Sequence, residues 1–264
     1  MYKANILNIS DTPKNNSLKI LNVRIDNVKM SNVLDIIDKM IINKKCHQIV
    51  TVNPEFVMEA QKNLKFREVL NNAALSLPDG IGIVLASKLI SQPLKERVTG
   101  IDTVQKLACL AAKQGWRIFF LGAAPGVAHQ AAIKLQILYP GLQIAGTYSG
   151  SPNVQEEDEI CSLIKSAKPQ ILLVAFGAPK QDLWIARNLE RLGVPVAIGI
   201  GGTFDFIAGV ARRAPLWVQK ISCEWLFRLM KEPRRWKRML ALPKFIFLIF
   251  SSLISLKTIN KEKS

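Results

Sequence analysis

What most constrains this chain is an alternation running from about residue 19 to about residue 200, in which short, continuously apolar runs are separated by stretches with helical spacing. A strand covered by helices on both faces has no solvent side, so it reads as unbroken apolar residues; parallel strands joined by helices produce that pattern. A first strand is predicted at 19–26, and later ones at 48–52, 75–78, 117–121, 143–147, 171–176 and 196–200. Helices are predicted between them: one carrying Val33, Leu34, Ile36, Ile37, Met40 and Ile41 behind a capping Ser31, then 54–72, 102–114, 127–138, 154–167 and 180–192. The expected class is α/β, a Rossmann-like layered and mostly parallel sheet. Residues 1–17 are polar and read as a flexible leader, 18–209 as the α/β core, and 210–264 as a C-terminal appendage of different character.

That appendage holds most of the charge excess. The chain has 36 basic and 20 acidic residues, a formal charge of +16. Thirteen of the basic residues but only three acidic ones lie from Arg212 onward. An anionic partner is implied, whether phosphate, nucleic acid or anionic lipid. The same segment carries Trp217, Trp225, Phe227, Trp236, Phe245, Phe247 and Phe250, divided by Pro215, Pro233 and Pro243. Residues 239–256 are very apolar but fall short of the roughly 20 residues of a spanning helix and are broken by Pro243 and Lys244. A helical membrane-docking appendage lying in the surface is favoured over a span. Four scattered cysteines without a CxxC pair and only two histidines indicate neither a disulfide scaffold nor a zinc site. With no secretory signal visible at the N-terminus, the body is expected at the cytoplasmic face of the membrane.

Polar and glycine-rich clusters fall where the predicted strands end, the edge at which open α/β sheets hold ligands. Thr51 and Asn53, in TVNPE, follow one strand; Asn53 also suits the cap of the helix that Pro54 opens. Asp79, in LPDGIG, follows another, beside two glycines that let a substrate approach the backbone, and also suits an ordinary Pro-Asp-Gly turn. Arg97, in ERVTGID, is either a phosphate partner or a solvated charge. Gly122 opens a strand–turn–helix junction, GAAPG, that lacks the middle glycine of a dinucleotide fingerprint. Lys180 and Gln181 begin a helix after Gly177 and Pro179, and Asp205 lies in IGIGGTFDFIAG, placed to accept a hydrogen bond from a ribose or base.

Taken together and in this order, VTVNPE, LPDGIG, ERVTGID, FFLGAAPG, GAPKQD, GIGGTFDFIAG, RRAP and EWLFRLMKEPRRWKR resemble the WecG/TagA/CpsF family of bacterial glycosyltransferases over roughly residues 20–240. The resemblance implies an inverting, metal-independent enzyme that moves N-acetylmannosamine, or a related N-acetylhexosamine, from a UDP-sugar to a polyprenyl-diphosphate-linked N-acetylglucosamine in polysaccharide or teichoic-acid-type synthesis. It implies Asp79 as general base, with Thr51, Asn53, Arg97 and Gln181 as substrate-binding residues. Arg228, Arg235 and Arg238 are implied as partners of the UDP diphosphate. No cofactor is implied. The chain departs from the family pattern at Asp182, where glutamate is common, and in GTYSGSP, where the family carries more aromatic residues.

An inverting displacement needs a base for the acceptor hydroxyl and charge stabilisation for the departing UDP. No Asp-x-Asp element is present to hold a metal for that purpose, which leaves the arginines. Arg228, Arg235 and Arg238 recur at intervals of seven and three, so one continuous helix would show them on a single face; lipid headgroups are the other ligand such a row suits. A nicotinamide-dependent oxidoreductase is the enzymatic rival, disfavoured by the incomplete glycine fingerprint. A non-enzymatic protein binding nucleic acid or anionic lipid is the other, and it leaves the core clusters unexplained, so no nucleic-acid partner is expected. The apolar tail is suited to promote homo-oligomers off the membrane.

Overall fold

The structure, a computed structural model, describes residues 16–220, 224–232 and 236–262. Six strands form one wholly parallel sheet: β3 (His47–Val52), β4 (Leu75–Pro78), β5 (Arg117–Gly122), β6 (Gln143–Tyr148), β7 (Ile171–Ala175) and β8 (Val196–Gly199), in the spatial order β4-β3-β8-β7-β5-β6. Two shorter strands, β1 (Ser17–Ile20) and β2 (Val23–Asp26), make a separate antiparallel hairpin. The expected single strand over 19–26 is therefore this hairpin, turned by Leu21 and Asn22 in left-handed conformation with φ of 47° and 65°. Two successive positive φ values match the right-handed twist of a two-residue hairpin, which asparagine tolerates without glycine. The hairpin docks beside β4: the Ser76 backbone N–H donates to Asp26 Oδ2 (2.8 Å), the Ser76 hydroxyl donates to the Arg24 carbonyl (2.7 Å), and Arg24 pairs with Asp26 at 3.2 Å.

Residues alternate between the two faces of the sheet, and that alternation sorts the core. Ile49, Leu75, Ile118, Phe120, Leu173 and Ile198 pack on one side with α1 (Met30–Ile42), α5 (Gly100–Gln114), α6 (Val127–Leu138) and α9 (Thr203–Ala208). On the other side Phe119, Leu121, Leu172 and Val174 meet α7 (Glu157–Ala167) and α8 (Lys180–Leu192). Val50 and Val52 join the hairpin, α2 (Pro54–Lys62), α3 (Leu64–Asn72) and α4 (Ile81–Leu89) there. The result is a three-layer α/β architecture.

Local chemistry shifts several boundaries from the expected ones. Helix α1 begins at Met30 rather than behind Ser31; Glu96 accepts from the Met30 N–H at 3.1 Å and Asn32 from the Lys29 N–H at 3.4 Å. The expected helix over 54–72 is broken at Asn63, whose side chain accepts from Phe66 N–H (3.0 Å) and so starts α3 where α2 ends. Helix α4, not among the expected helices, follows β4 after the two residues Asp79 and Gly80. Gly80, at φ 91°, turns the chain, and a Cβ on Gly82 would stand 2.7 Å from Pro54, so only glycine lets α4 start this close to α2.

Beyond Gly209, which ends α9 in left-handed conformation, come α10 (Leu216–Lys220), α11 (Glu224–Lys231), α12 (Trp236–Met239) and α13 (Ala241–Glu262). Pro243 falls in the first turn of α13, where a missing N–H costs nothing, so it does not interrupt that helix. The C-terminal segment is not detached from the core: Phe245 and Ile249 of α13 are buried with residues of α2 and α4. Among the described residues no helix is long and apolar enough to cross a membrane.

Candidate active site

The carboxyl ends of β3, β4, β7 and β8 open on a cavity of about 790 Å³ that α4, α11 and α13 wall on the other side. The order of the sheet explains why it forms there. The chain leaves β3 outward to β4, then builds β5 to β8 on the opposite side of β3, and the crevice lies where the direction reverses.

Asp79, the first residue after β4, keeps an edge on this cavity while protein packs around the rest of its carboxyl. Burial pushes that carboxyl up to about 6, against the pull of the Gly100 backbone N–H, which donates to Oδ2 at 3.4 Å, and of the nearby Arg97 guanidinium. A Cβ placed on Gly100 would stand 3.7 Å from Thr51, 3.7 Å from Thr203 and 3.9 Å from Asp79 Oδ2, so these three side chains surround one small space. Thr51 donates its hydroxyl to the Gly199 carbonyl at 3.2 Å, joining β3 to β8. Asn53 lines the cavity and also accepts from Phe56 N–H at 3.0 Å, so it does cap α2.

Gln181 is fully buried at the cavity wall. Its Oε1 accepts from the Gly177 N–H (3.2 Å) and the Gly201 N–H (2.9 Å), stapling the loop after β7 to the loop after β8. The amide nitrogen makes no hydrogen bond of good geometry, but it stands close enough to the Asp182 carboxyl to draw on its charge. Arg97 lines the cavity and pairs with Glu224 of α11 at 3.1 Å. Arg228, also on α11, stacks its guanidinium 4.7 Å from the Phe206 ring and bonds Glu232 at 3.3 Å.

Thus Thr51, Asn53, Asp79, Arg97, Gln181 and Arg228 share one cavity. Gly122, Lys180 and Asp205 are not among the residues lining it. Gly122 has a packing reason of its own: at φ 99° a Cβ there would stand 2.8 Å from the Ala175 carbonyl carbon, so β5 and β7 could not close. Lys180 opens α8 with an exposed side chain, and Asp205 is half-buried in α9. Arg235 and the side chain of Arg238 lie outside the described residues.

Three charged residues of the site, Asp102, Arg213 and Glu224, escape a reading of the sequence. Arg213 pairs with Asp102 at 2.8 Å and with Glu224 at 3.3 Å, and Asp102 also accepts from the Thr99 hydroxyl at 2.6 Å. Burial opposes the Asp102 charge, but Arg213 and Thr99 outweigh it and hold the carboxyl below its usual range. The only sequence signal is their place inside ERVTGID, RRAP and EWLFRLM. Among the described residues no three His, Cys, Asp or Glu side chains come together as a metal site would require.

Across residues 18–259 the chain matches the Glycosyl transferase WecG/TagA/CpsF family. The chain belongs to this family. It is 38% identical over 198 residues to an N-acetylglucosaminyldiphosphoundecaprenol N-acetyl-beta-D-mannosaminyltransferase of Bacillus spizizenii strain W23, covering 75% of this chain and 76% of that one. A protein of the same name from Bacillus subtilis strain 168 is 35% identical over 240 residues, 90% of this chain and 93% of the relative. Another, from Staphylococcus aureus strain MW2, is 32% identical over 232 residues, 87% and 91% of the two chains. As a member of this glycosyl transferase family, the chain carries its family match over both the sheet and the helices that close the cavity.

Proposed function

We propose that this chain transfers N-acetylmannosamine from UDP to the N-acetylglucosamine of an undecaprenyl-diphosphate-linked acceptor, with inversion, in the synthesis of a cell-wall polysaccharide or teichoic acid. The observation that carries the reading is Asp79, a carboxyl largely enclosed by protein, on a cavity also lined by Arg97, Arg212, Arg213 and Arg228, in a member of a family whose relatives bear that activity in their names. At neutral pH a carboxyl titrating at about 6 is mostly ionised yet more basic than an ordinary aspartate, which suits a general base. Asp79 takes the proton of the acceptor hydroxyl. The oxygen then bonds the anomeric carbon as the bond to UDP breaks on the opposite face, and the electron pair leaves with the diphosphate. Arg97 and Arg228 line the cavity with planar forks that match phosphate oxygens, and Arg235 and Arg238 are assigned the same task on sequence grounds. Thr51, Asn53 and Gln181 shape the sugar subsite, Gln181 by holding the two loops that frame it. Gly122, Lys180 and Asp205 are left for the nucleoside end, beyond the cavity lining.

The reading also places the protein peripherally on the inner face of the membrane, with core 18–209 and appendage 210–264. Phe247 and Phe250 on α13 and Trp217, Trp225 and Trp236 on the preceding helices are exposed beside a dense basic charge, the composition of a surface that enters the headgroup layer. The same exposed residues would favour self-association away from a membrane.

The deciding assay offers UDP-N-acetylmannosamine and a short-chain lipid-diphosphate N-acetylglucosamine, with UDP-N-acetylglucosamine as competing donor, to the full chain and to Asp79→Asn. Transfer from the first donor, lost by at least about 100-fold in the variant, is expected, because an amide keeps the shape but takes no proton. A variant that retains a tenth or more of the wild-type rate, or a wild type that transfers from neither donor, overturns the reading.

A further inference from the structure

Helix α11 brings one carboxylate to the pocket, beside Trp225, Phe227 and Arg228. Glu224, its first residue, puts Oε2 3.1 Å from Arg97 and Oε1 3.3 Å from Arg213, and Arg213 extends the chain to Asp102 at 2.8 Å. Four charges of alternating sign thus run from the C-terminal segment to the start of α5, all partly buried, with side-chain exposures of 22–37%. Partial burial in a cleft makes such pairs stronger than open-surface ones, and Arg213 divides its guanidinium between two carboxylates in a way lysine could not reproduce. The charged groups that act on Asp79 are Arg97, Glu224 and Asp102, with the Gly100 N–H; Glu55, Arg212 and Arg228 complete the charged lining of the cavity.

Arg97 is therefore close enough to Asp79 for its charge to be felt there, yet its ion-pair partner is Glu224. We propose that Glu224 is a positioning residue for the transfer: by holding Arg97 on the side of α11 it keeps that guanidinium from closing on Asp79 and leaves the base free to take the acceptor's proton. The inference rests on the reading of Asp79 as the base. Two effects have the same sign. The Glu224 charge itself raises the proton affinity of Asp79, and a freed Arg97 would lower it.

The test is the pH dependence of kcat/KM between pH 5 and 8, measured on a soluble short-chain acceptor for the full-length wild type, Glu224→Gln and Glu224→Asp. The wild-type acid limb is expected near pH 6. In Glu224→Gln it should move to lower pH by about half to one unit, with the plateau several-fold lower because an Arg97–Asp79 pair obstructs the base. Glu224→Asp, which keeps the charge but shortens the reach, should fall between the two. A lost structural contact would lower the plateau and leave the limb in place, so an unmoved limb in Glu224→Gln overturns the proposal whatever happens to the rate. Should that variant fail to fold, Glu224→Asp decides in its place, and a limb coincident with wild type overturns the proposal. If Asp79→Asn were active, the base reading itself would fall; an inactive Asp79→Asn with an unmoved limb in the Glu224 variants would remove this proposal alone.

Discussion

Asp182→Asn should make this protein's stability much less sensitive to pH. Asp182 lies in the first turn of α8, fully buried, with its carboxyl pressed against β8: a Cβ on Gly199 would stand 2.5 Å from Oδ1. Neither carboxyl oxygen meets a donor in good hydrogen-bond geometry. Burial pushes the group up to about 7, and the adjacent Gln181 amide and the backbone of Asp182 draw it back only in part. In the unfolded chain the same carboxyl returns to about its ordinary 3.8. Between about pH 4 and pH 7 the folded protein therefore holds a proton that the unfolded chain has released, so stability falls as pH rises through that window and levels off above it. At 1.36 kcal/mol per pH unit over about three units, the loss is about 4 kcal/mol, of which about 3 kcal/mol falls between pH 5 and pH 8. Asparagine cannot ionise, so its cost is the same at both ends. Asp79 has a slope of its own, but it is common to both proteins and cancels in the difference. Urea unfolding followed by tryptophan fluorescence, with Trp184 buried two residues away, would give the difference at each pH. A wild-type-minus-variant difference that stays constant within about 1 kcal/mol from pH 5 to pH 8 would refute the argument.

Other outcomes can be read directly. Transfer should persist in excess EDTA, because arginines are proposed to take the diphosphate charge; loss on chelation, restored by Mg²⁺ or Mn²⁺, would reverse that. Arg228→Gln should cut transfer to a soluble acceptor by about tenfold or more while leaving liposome binding near normal, because one charge-assisted partner of the diphosphate is gone. Replacing Phe247 and Phe250 by Ser should do the opposite, weakening binding to anionic liposomes with little change in soluble transfer. Phe245 is the wrong residue for that experiment, since it is buried against α2 and α4 and its loss would damage the fold.

The strands and most helices were legible because burial on both faces leaves a plain apolar signature. What escaped was chemistry with a weak local mark. Residues 19–26 look like one run, and only the left-handed backbone at Leu21 and Asn22 divides them. Asn63 looks like an ordinary helical polar residue until its side chain starts a second helix. Helix α4 is nearly all apolar and so lacks the two-faced pattern by which a helix is recognised. In the site, Thr51, Asn53, Asp79 and Gln181 were readable because strand ends are where such sheets bind. Arg97 was readable too, but its link to Asp102, Arg213 and Glu224 was not, because Arg97 and Glu224 are brought together only by the closure of the C-terminal helices. Nor could spacing show that Gln181 spends its carbonyl oxygen on two backbone amides.

The position of β8 bears on how the molecule is made. Of the described strands it is the last in chain order, yet it lies between β3 and β7, pairing His47 with Val196, about 150 residues apart. Until about residue 199 has emerged, β3–β4 and β5–β6–β7 are two half-sheets, each with an apolar edge and no partner for it. Contacts this distant in sequence form slowly, and unpaired edges are the part of a nascent chain most open to wrong partners. The loops that Gln181 staples are completed by the same event, since one of them follows β8 directly. Synthesis then delivers the basic, aromatic helices only after the sheet that receives them can exist.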